Sequence, residues 1–217
     1  MMDKIRSKLL KIFNKSNDSD NPLSWFEELY HQANNNRDWI PWDWKEPHPF
    51  VVEWIEKSEK KGTALVIGCG LGEDAAYLSK MGWQVTAFDI SETAIKWASE
   101  IHRDLEIEWK VADLFNLPKS WQGRFDLVLE VHILQAIQEN LMREARKKLA
   151  PLVNTNGNLV SIGKLRMNDE NIDGPPWPMS KESIEKTGKD LEIIEFFVSK
   201  IPEKEDTRYR VTWKRNK

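Results

Sequence analysis

Apolar and polar residues follow two different periodicities along the chain, and from Thr63 onward strand-like and helix-like segments alternate. Short apolar runs typical of buried strands occur at seven places, and residues with helical spacing lie between most of them. The predicted strands are Ala64–Ile67, Gln84–Phe88, Ile107–Val111, Phe125–Val131, Leu159–Ile162, Ile193–Val198 and Tyr209–Trp213. This alternation predicts an α/β fold, a mostly parallel sheet with helices on both faces. The short link between the last two strands predicts an antiparallel hairpin.

The intervals between the strands contain recognisable helix signals. The predicted helices are Glu73–Met81, a segment capped by Ser91 that runs to about His102, a segment marked by Leu141, Ala145 and Leu149 that stops at Pro151, and a short segment from about Ser180. The polar run Asn154–Gly157 predicts a turn.

The first sixty residues lack this regularity and divide into two segments. Residues 1–22 hold a basic stretch in which Ile5, Leu9, Ile12 and Phe13 recur at helical spacing, followed by a polar linker from Asn14 to Pro22. A basic amphipathic helix can lie on a membrane surface, but we favour a helix packed on its own domain or a frayed end. Residues 23–60 are rich in Trp and Pro, with predicted helices near Trp25–Ala33 and Phe50–Glu59. Residues 61–217 form the predicted α/β domain.

Composition narrows the possible functions. The net charge of −3 gives no indication of nucleic-acid binding. No apolar run approaches the roughly 20 residues that a membrane span needs, and the start of the chain is a poor signal peptide. The single cysteine, Cys69, excludes an intrachain disulfide. We expect a cytoplasmic protein, monomeric and without a metal site, that acts on a small molecule.

The strongest chemical signal is the segment ALVIGCGLGEDAAYL, in which a buried strand runs into the glycine-rich turn Gly68–Gly72 and then a helix. Such a turn allows the backbone to approach a ligand closely. The segment also satisfies the dinucleotide pattern G-x-G-x-x-A. However, Glu73 and Asp74 would repel a pyrophosphate at this helix terminus, and they would tolerate a cationic ammonium or sulfonium group far better.

Carboxylates follow the next three strands. Asp89 can accept hydrogen bonds from both ribose hydroxyls of an adenosine, and Asp113 can accept one from an adenine amino group. Glu130 ends the fourth strand, where we expect it beside the reactive centre, and His132 follows it. Glu130 and His132 are the candidate catalytic residues, although a lone histidine is more often structural. Asp126 is expected at the far end of its strand.

In this order and spacing, these segments resemble class I methyltransferases. WFEELY, PWDWKEPHP, DISETAIKWA, VADLFNLP and LMREARKKLAP extend the resemblance to the thiopurine S-methyltransferase-like group, with its halide and thiol methyltransferase relatives. The apolar Val66, where many class I enzymes carry an acidic residue, also fits this group. The resemblance covers roughly residues 23 to 213. It implies a Rossmann-like, seven-stranded sheet and S-adenosyl-L-methionine as the methyl donor.

Carried onto this sequence, the resemblance implies a donor site. Its residues are Gly68, Cys69 and Gly70 at the methionine end, Asp89 at the ribose, Ile90, Asp113 and Leu114 at the adenine, Glu130 near the sulfonium, and Trp25 and Trp42 as lid tryptophans. A further lid tryptophan of some relatives is replaced here by Leu29. For Trp39 and Trp44 we expect packing of the lid on the sheet. We read Cys69 as a packing residue rather than a nucleophile.

The resemblance also implies a mechanism. A sulfonium methyl group is already activated, so the protein must mainly align the reactants and exclude water. A soft nucleophile such as a thiolate, a halide, or a selenium or tellurium species needs little or no general base. We expect the segment Asp173–Pro178 to border the acceptor pocket.

Two other functions stay open at this point. An NAD-type oxidoreductase would share the glycine turn and Asp89, but Glu73, Asp74, the Asp113 segment and the terminal hairpin argue against it. A non-catalytic module could bind a partner through the Trp-rich segment. Binding of S-adenosylhomocysteine together with turnover would distinguish the enzyme from the module.

Overall fold

A seven-stranded sheet forms the centre of the described part of the protein, which in this computed structural model comprises residues 2–17, 21–167, 174–201 and 206–216. The strands are β1 Thr63–Ile67, β2 Gln84–Asp89, β3 Ile107–Val111, β4 Phe125–Val131, β5 Val153–Lys164, β6 Glu192–Lys200 and β7 Thr207–Lys214. Their order is β3-β2-β1-β4-β5-β7-β6. Only β7 pairs antiparallel with its neighbours β5 and β6 within this described sheet, so the predicted fold and hairpin are confirmed.

Seven α-helices lie among the described residues. They are α1 Met2–Asn17, α2 Ser24–Ala33, α3 Pro49–Glu56, α4 Glu73–Lys80, α5 Glu92–Ile101, α6 Glu139–Ala145 and α7 Lys181–Glu185. Short 3-10 turns add Arg37–Trp39, Leu114–Asn116, Lys119–Trp121, Arg146–Lys148, Ala150–Leu152 and Lys186–Gly188. As predicted, Ser91 caps α5, because its hydroxyl accepts the backbone N–H of Ala94 at 2.9 Å.

Alternating side chains of the strands separate two apolar layers. In β1, Leu65 and Ile67 face one layer, while Ala64 and Val66 face the other. Both layers are buried, as the near-continuous apolar runs of parallel strands require. Strands β1 to β5 run parallel to one another, so their carboxyl ends form one edge of the sheet. We call it the ligand edge.

A third apolar cluster lies outside the sheet and contains the N-terminal helix. Leu9, Ile12 and Phe13 of α1 are buried against Trp25 of α2 and Trp97 of α5. This confirms our preference for a helix packed on its own domain, where each buried apolar side chain contributes about 1.5–3 kcal/mol. The side chain of Ile5 lies outside the described residues.

Several boundaries differ from the prediction; α3, for example, ends at Glu56 rather than near Glu59. Helix α1 continues to Asn17, so the polar linker begins later than Asn14; residues 18–20 of that linker lie outside the described residues. The helical segment ending near Pro151 is α-helical only to Ala145 and continues as 3-10 turns. The predicted turn Asn154–Gly157 is a bulge inside β5, because pairing with β4 shifts between Val153 and Asn158. No helix in the described part of the chain is long and apolar enough to cross a membrane.

Candidate functional site

The glycine-rich turn joins β1 to α4 at the ligand edge. Gly68 and Gly70 have φ angles of 57° and 53°, which side-chain-bearing residues rarely adopt. A Cβ at Gly68 would also lie 2.3 Å from the side chain of Ile133. Cys69 lies between them, and burial raises the pKa of its thiol well above the usual range. That shift agrees with a packing role for Cys69, because the thiolate rather than the thiol is the nucleophile.

Asp89 connects this turn to the end of β2. Its two carboxylate oxygens accept the backbone N–H groups of Gly70 and Ser91, each at 2.9 Å. Burial raises the pKa of the Asp89 carboxyl. Each carboxylate oxygen keeps a second lone pair, so Asp89 can still accept hydrogen bonds from a ligand. Ile90 follows it and is half-buried.

Asp113 lies beside Asp89 at the end of β3. The backbone N–H of Ala112 donates to the carbonyl of Asp89 at 3.0 Å, which holds the two strand ends together. The Asp113 carboxylate accepts the backbone N–H of Phe115 at 2.9 Å and therefore caps a 3-10 turn in which Leu114 is buried. The structure thus gives Asp113 a local capping role and also places it at the ligand edge.

Glu130 is a buried carboxylate near the end of β4. It accepts the hydroxyl of Ser161 and, at 3.1 Å, the backbone N–H of Ile133. Burial raises the pKa of Glu130 to about 7. Asp126 lies near the opposite end of the strand, as predicted, where it accepts the backbone N–H of Thr63 at 2.9 Å.

His132 follows β4 with a φ of 63°. Its Nε2 accepts a hydrogen bond from Arg208 at 2.7 Å, so Nδ1 carries the proton and donates to Gln135 at 3.1 Å. Burial and the charge of Arg208 lower the pKa of His132 to about 4. With its lone pair engaged and its basicity reduced, His132 is poorly suited to remove a proton at neutral pH.

Glu73 and Asp74, which we expected to favour a cationic ligand, have partners in the Trp-rich segment instead. Glu73 forms an ion pair with Arg37 at 2.6 Å, and Arg37 also binds Asp43. Asp74 accepts the backbone N–H of His48 at 2.8 Å, and burial raises its pKa to about 6. The start of α4 therefore anchors residues 37–48 beside the glycine turn. The sequence signals had not indicated these contacts.

The same segment covers the glycine turn. A Cβ at Gly70 would lie 2.8 Å from the Tyr30 hydroxyl and 3.9 Å from Nε1 of Trp42. Trp42 donates this N–H to Tyr30 at 2.8 Å and remains 37% exposed. Trp25 is buried beneath it, with the two ring centroids 5.8 Å apart. The structure thus brings Trp42 close to Gly70 and gives Trp25 a supporting position.

Further contacts hold this cover in place. Glu27 of α2 accepts the hydroxyl of Ser91 at 2.7 Å and the backbone N–H of Thr93 at 3.1 Å, next to Asp89. Leu29 is buried in the same cluster as Trp25. Glu27 belongs to the WFEELY segment, but no spacing rule indicated its partners.

The remaining tryptophans pack the segment against other parts of the chain. Trp39 lies under the ammonium group of Lys8, 4.0 Å from its ring centroid, and Trp44 lies 5.2 Å from the guanidinium carbon of Arg208 in β7. In the predicted pocket border, Asp173 lies outside the described residues. Trp177 donates its backbone N–H to Gln135 at 2.9 Å, so this segment lies next to the His132 turn.

Comparisons with known proteins show the family to which the chain belongs and the fold that it shares. The sequence model of the family described as thiopurine S-methyltransferase matches residues 27–210. Thiocyanate methyltransferase 1 of Arabidopsis thaliana is 26% identical over 153 residues, which cover 67% of this chain and 65% of that protein. The chain thus matches slightly less than two thirds of the length of this relative.

Solved structures share the fold. One, from work on the conversion of a disulfide bond into a thioacetal group during echinomycin biosynthesis, gives a TM-score of 0.73 at 21% identity and covers 89% of this chain and 91% of its own. Another is the N-methyltransferase NodS from Bradyrhizobium japonicum WM9 in complex with S-adenosyl-L-homocysteine. It gives a TM-score of 0.67 at 15% identity and covers 96% of this chain and 99% of its own. At these identities the likeness shows the fold alone.

Proposed function

The chain belongs to the thiopurine S-methyltransferase family, and from this premise we propose that it transfers a methyl group from S-adenosyl-L-methionine to a small-molecule acceptor. The observation that carries the proposal is the ligand edge itself. Asp113, Asp89 and Glu130 lie at the carboxyl ends of β3, β2 and β4, and the glycine turn follows β1, which lies between β2 and β4.

The residues at this edge fit such a donor chemically. Asp89 and Glu130 are buried carboxylates whose pKa values are raised by burial, so a cationic ligand beside them would be favoured. The turn around Gly70 brings the backbone close to the cover formed by Tyr30 and Trp42. In this proposal Asp89 holds the ribose, Asp113 and Ile90 the adenine, and Gly68–Gly70 the methionine end.

When bound, the donor supplies a methyl group on a sulfonium that is already activated for transfer. The protein's own contribution is to orient the donor and the acceptor and to exclude water from the site. Trp42 and Tyr30 cover the turn, and the ion pair between Arg37 and Glu73 fixes the covering segment. Such a cover removes water from the site and strengthens the electrostatic interactions inside it.

We further propose that the acceptor is a soft nucleophile, namely a thiol, a halide, or a selenium or tellurium species. His132, the histidine next to Glu130, has its Nε2 lone pair bound to Arg208. An acceptor that needs no proton removal at neutral pH matches that arrangement. The thiocyanate methyltransferase relative acts, by its name, on an acceptor of this kind.

Thermal unfolding tests the donor assignment. We expect S-adenosylhomocysteine to raise the melting temperature and NADH to leave it unchanged, because a ligand that binds only the native state stabilises it by mass action. Stabilisation by NADH but not by S-adenosylhomocysteine would reject the proposal. A screen with labelled donor over thiols, halides, selenium and tellurium oxyanions and small phenols then tests the acceptor class, and transfer only to phenols would reject the soft nucleophile.

A further inference from the structure

Four side chains meet where the Trp-rich segment reaches the far half of the ligand edge. They are Trp44, His48, His132 and Arg208, which we call the Arg208 cluster. Arg208 donates to His132 at 2.7 Å, and its guanidinium carbon lies 5.2 Å from the Trp44 ring centroid. The His48 ring stacks on Trp44 with centroids 5.0 Å apart and lies 5.7 Å from the His132 ring.

The charge of Arg208 is incompletely balanced within the described residues. Its side chain is only 4% exposed, yet its nearest carboxylate is Asp206, at 3.5 Å. That carboxylate is shared with Lys164, which lies closer, at 2.8 Å. The Arg208 Nε has no hydrogen-bond partner among the described residues. A buried guanidinium that keeps an unpaired N–H is costly unless another group supplies an acceptor.

Arg210, two residues further along β7, shows how this protein pairs a buried arginine that has only a structural role. Its Nε and Nη2 donate to Glu195 at 3.1 and 3.2 Å. Its Nη1 donates to Glu53 at 3.2 Å and to the carbonyl of Phe50 at 3.1 Å. Arg210 thus contacts two carboxylates, of which Glu53 is shared with Lys57, and all three of its nitrogens have acceptors. Arg208 has one carboxylate, shared with Lys164, and its Nε has no acceptor among the described residues.

His48 adds a second unpaired donor to the cluster. Its Nδ1 accepts the backbone N–H of Phe50 at 3.2 Å and so caps α3, which leaves the proton on Nε2. This Nε2 is buried without a partner among the described residues. Burial, followed by the charges of His132 and Arg208, lowers the pKa of His48 to about 2, so the ring stays a neutral donor.

The position of the cluster connects it to the reaction. His132 lies two residues after Glu130, and Arg208 pairs in register with Lys164 at the carboxyl end of β5. The cluster therefore lies beside the proposed donor site and under the same covering segment. His132 is half-buried, so this side of the cluster reaches the protein surface, whereas Arg208 Nε and His48 Nε2 themselves are buried.

We propose that the Arg208 cluster is the acceptor subsite, and that it selects a small acceptor carrying a full negative charge. This inference rests on the proposed function. The Arg208 charge, its Nε–H and the His48 Nε2–H supply what an anion requires. In the reaction, a lone pair of the anion bonds to the methyl carbon while the carbon–sulfonium bond breaks. The bonding electrons stay on sulfur, no proton moves, and the products are the methylated acceptor and S-adenosylhomocysteine.

Calorimetric titration of the S-adenosylhomocysteine complex with thiocyanate or iodide, at constant ionic strength set with chloride, tests the subsite without turnover. We expect saturable binding to the parent protein and a loss of roughly tenfold or more in Arg208→Gln, the scale of one charge-assisted hydrogen bond. Arg208→Lys should recover part of that affinity. Arg166→Gln, which removes the same charge from an exposed position at the end of β5, should bind the anions like the parent.

His48→Asn is a second variant, which tests the subsite even if Arg208→Gln does not fold. Asparagine can still cap α3, but it lacks the imidazole Nε2–H. We expect anion affinity to fall roughly threefold to tenfold. In steady-state assays, Arg208→Gln should raise KM for thiocyanate by roughly tenfold while changing kcat/KM for a neutral thioether, which is methylated to a sulfonium without losing a proton, by less than about threefold.

Three results would overturn this inference. Unchanged thiocyanate binding in folded Arg208→Gln and His48→Asn would exclude the subsite. An equal loss of activity toward a neutral thioether would make the role structural. A large loss of S-adenosylhomocysteine affinity in Arg208→Gln would assign the cluster to the donor carboxylate. Failure of the parent protein to bind S-adenosylhomocysteine is a separate result, which rejects the proposed function itself.

Discussion

The two halves of the ligand edge differ in how completely their buried polar groups are hydrogen-bonded. In the half formed by β1, β2 and β3, Asp89 and Asp113 are held by backbone N–H groups close to them along the chain or across one strand pair. In the half where β4, β5 and β7 meet the Trp-rich segment, His48 and Arg208 keep buried N–H groups that have no partner among the described residues. In the first half the fold itself pairs these carboxylates, whereas the second half keeps two buried donors that we assign to a bound anion.

The difference shows how a site can be recognised before its ligand is known. Buried polar groups are normally paired, so a satisfied group can be explained by the fold alone. An unsatisfied one asks for a further explanation. Of the five such side-chain atoms among the described residues, His48 Nε2 and Arg208 Nε belong to one cluster at the ligand edge, and the other three belong to Thr187, Trp213 and Arg215. Three further substitutions test this contrast, and their expected effects on donor affinity or stability decrease from the first to the last.

The largest expected effect comes from Asp89→Ala, which breaks the donor half. If Asp89 holds both ribose hydroxyls, two charge-assisted hydrogen bonds of about 1.5–3 kcal/mol each are lost. Affinity for S-adenosylhomocysteine should then fall by roughly a hundredfold or more, as measured by calorimetry. Anion binding by the Arg208 cluster should change little when it is measured at saturating S-adenosylhomocysteine. Unchanged donor affinity in the folded variant would show that Asp89 stabilises the loop but does not bind the donor.

The next effect concerns Glu130, which lies between the two halves. Because its folded pKa is raised from 4.5 to about 7, its contribution to stability is fully present below pH 4.5 and is lost as the pH rises through 7. For the unliganded protein, this loss amounts to about 3 kcal/mol in the free energy of unfolding.

Glu130→Gln removes that titration. The stability difference, variant minus parent, should therefore increase by about 3 kcal/mol between pH 4.5 and 8 in urea unfolding experiments. The other raised carboxyl groups, Asp74 and Asp89, are present in both proteins and cancel in the difference. A difference that does not change with pH would show that the pKa of Glu130 is not raised in the native state.

The smallest effect comes from Trp42→Phe, which tests whether the Trp42 side chain covers the donor site. The substitution keeps an aromatic ring but removes the hydrogen bond to Tyr30, worth about 1 kcal/mol. Donor affinity should fall by roughly fivefold, and donor binding should quench tryptophan fluorescence less than in the parent. The matched control is Trp39→Phe, because Trp39 packs on Lys8 rather than beside Gly70. Equal behaviour of the two variants would reject Trp42 as part of the lid.

The sequence alone determined much of the donor half. Its strand β1 is an almost continuous apolar run and the turn after it requires glycines. Asp89 ends β2 and Asp113 follows β3 within two residues, so local pattern and register place them together. The bulge in β5 escaped prediction because the polar run Asn154–Gly157 looks the same whether it forms a turn or bulges out of a continuing strand.

The arrangement of the other half depends on tertiary contacts, and only the structure revealed it. His132 and Arg208 are 76 residues apart in sequence, and His48 comes from a segment whose irregular backbone follows no simple period. Glu73 and Asp74 could be read as ligand-facing because charge alone does not reveal a partner; in the structure they bind Arg37 and the backbone of His48. Local periodicity determines which residues form a strand or a helix. Which buried donors remain without a partner depends on contacts between distant segments, and these contacts form only when the chain folds.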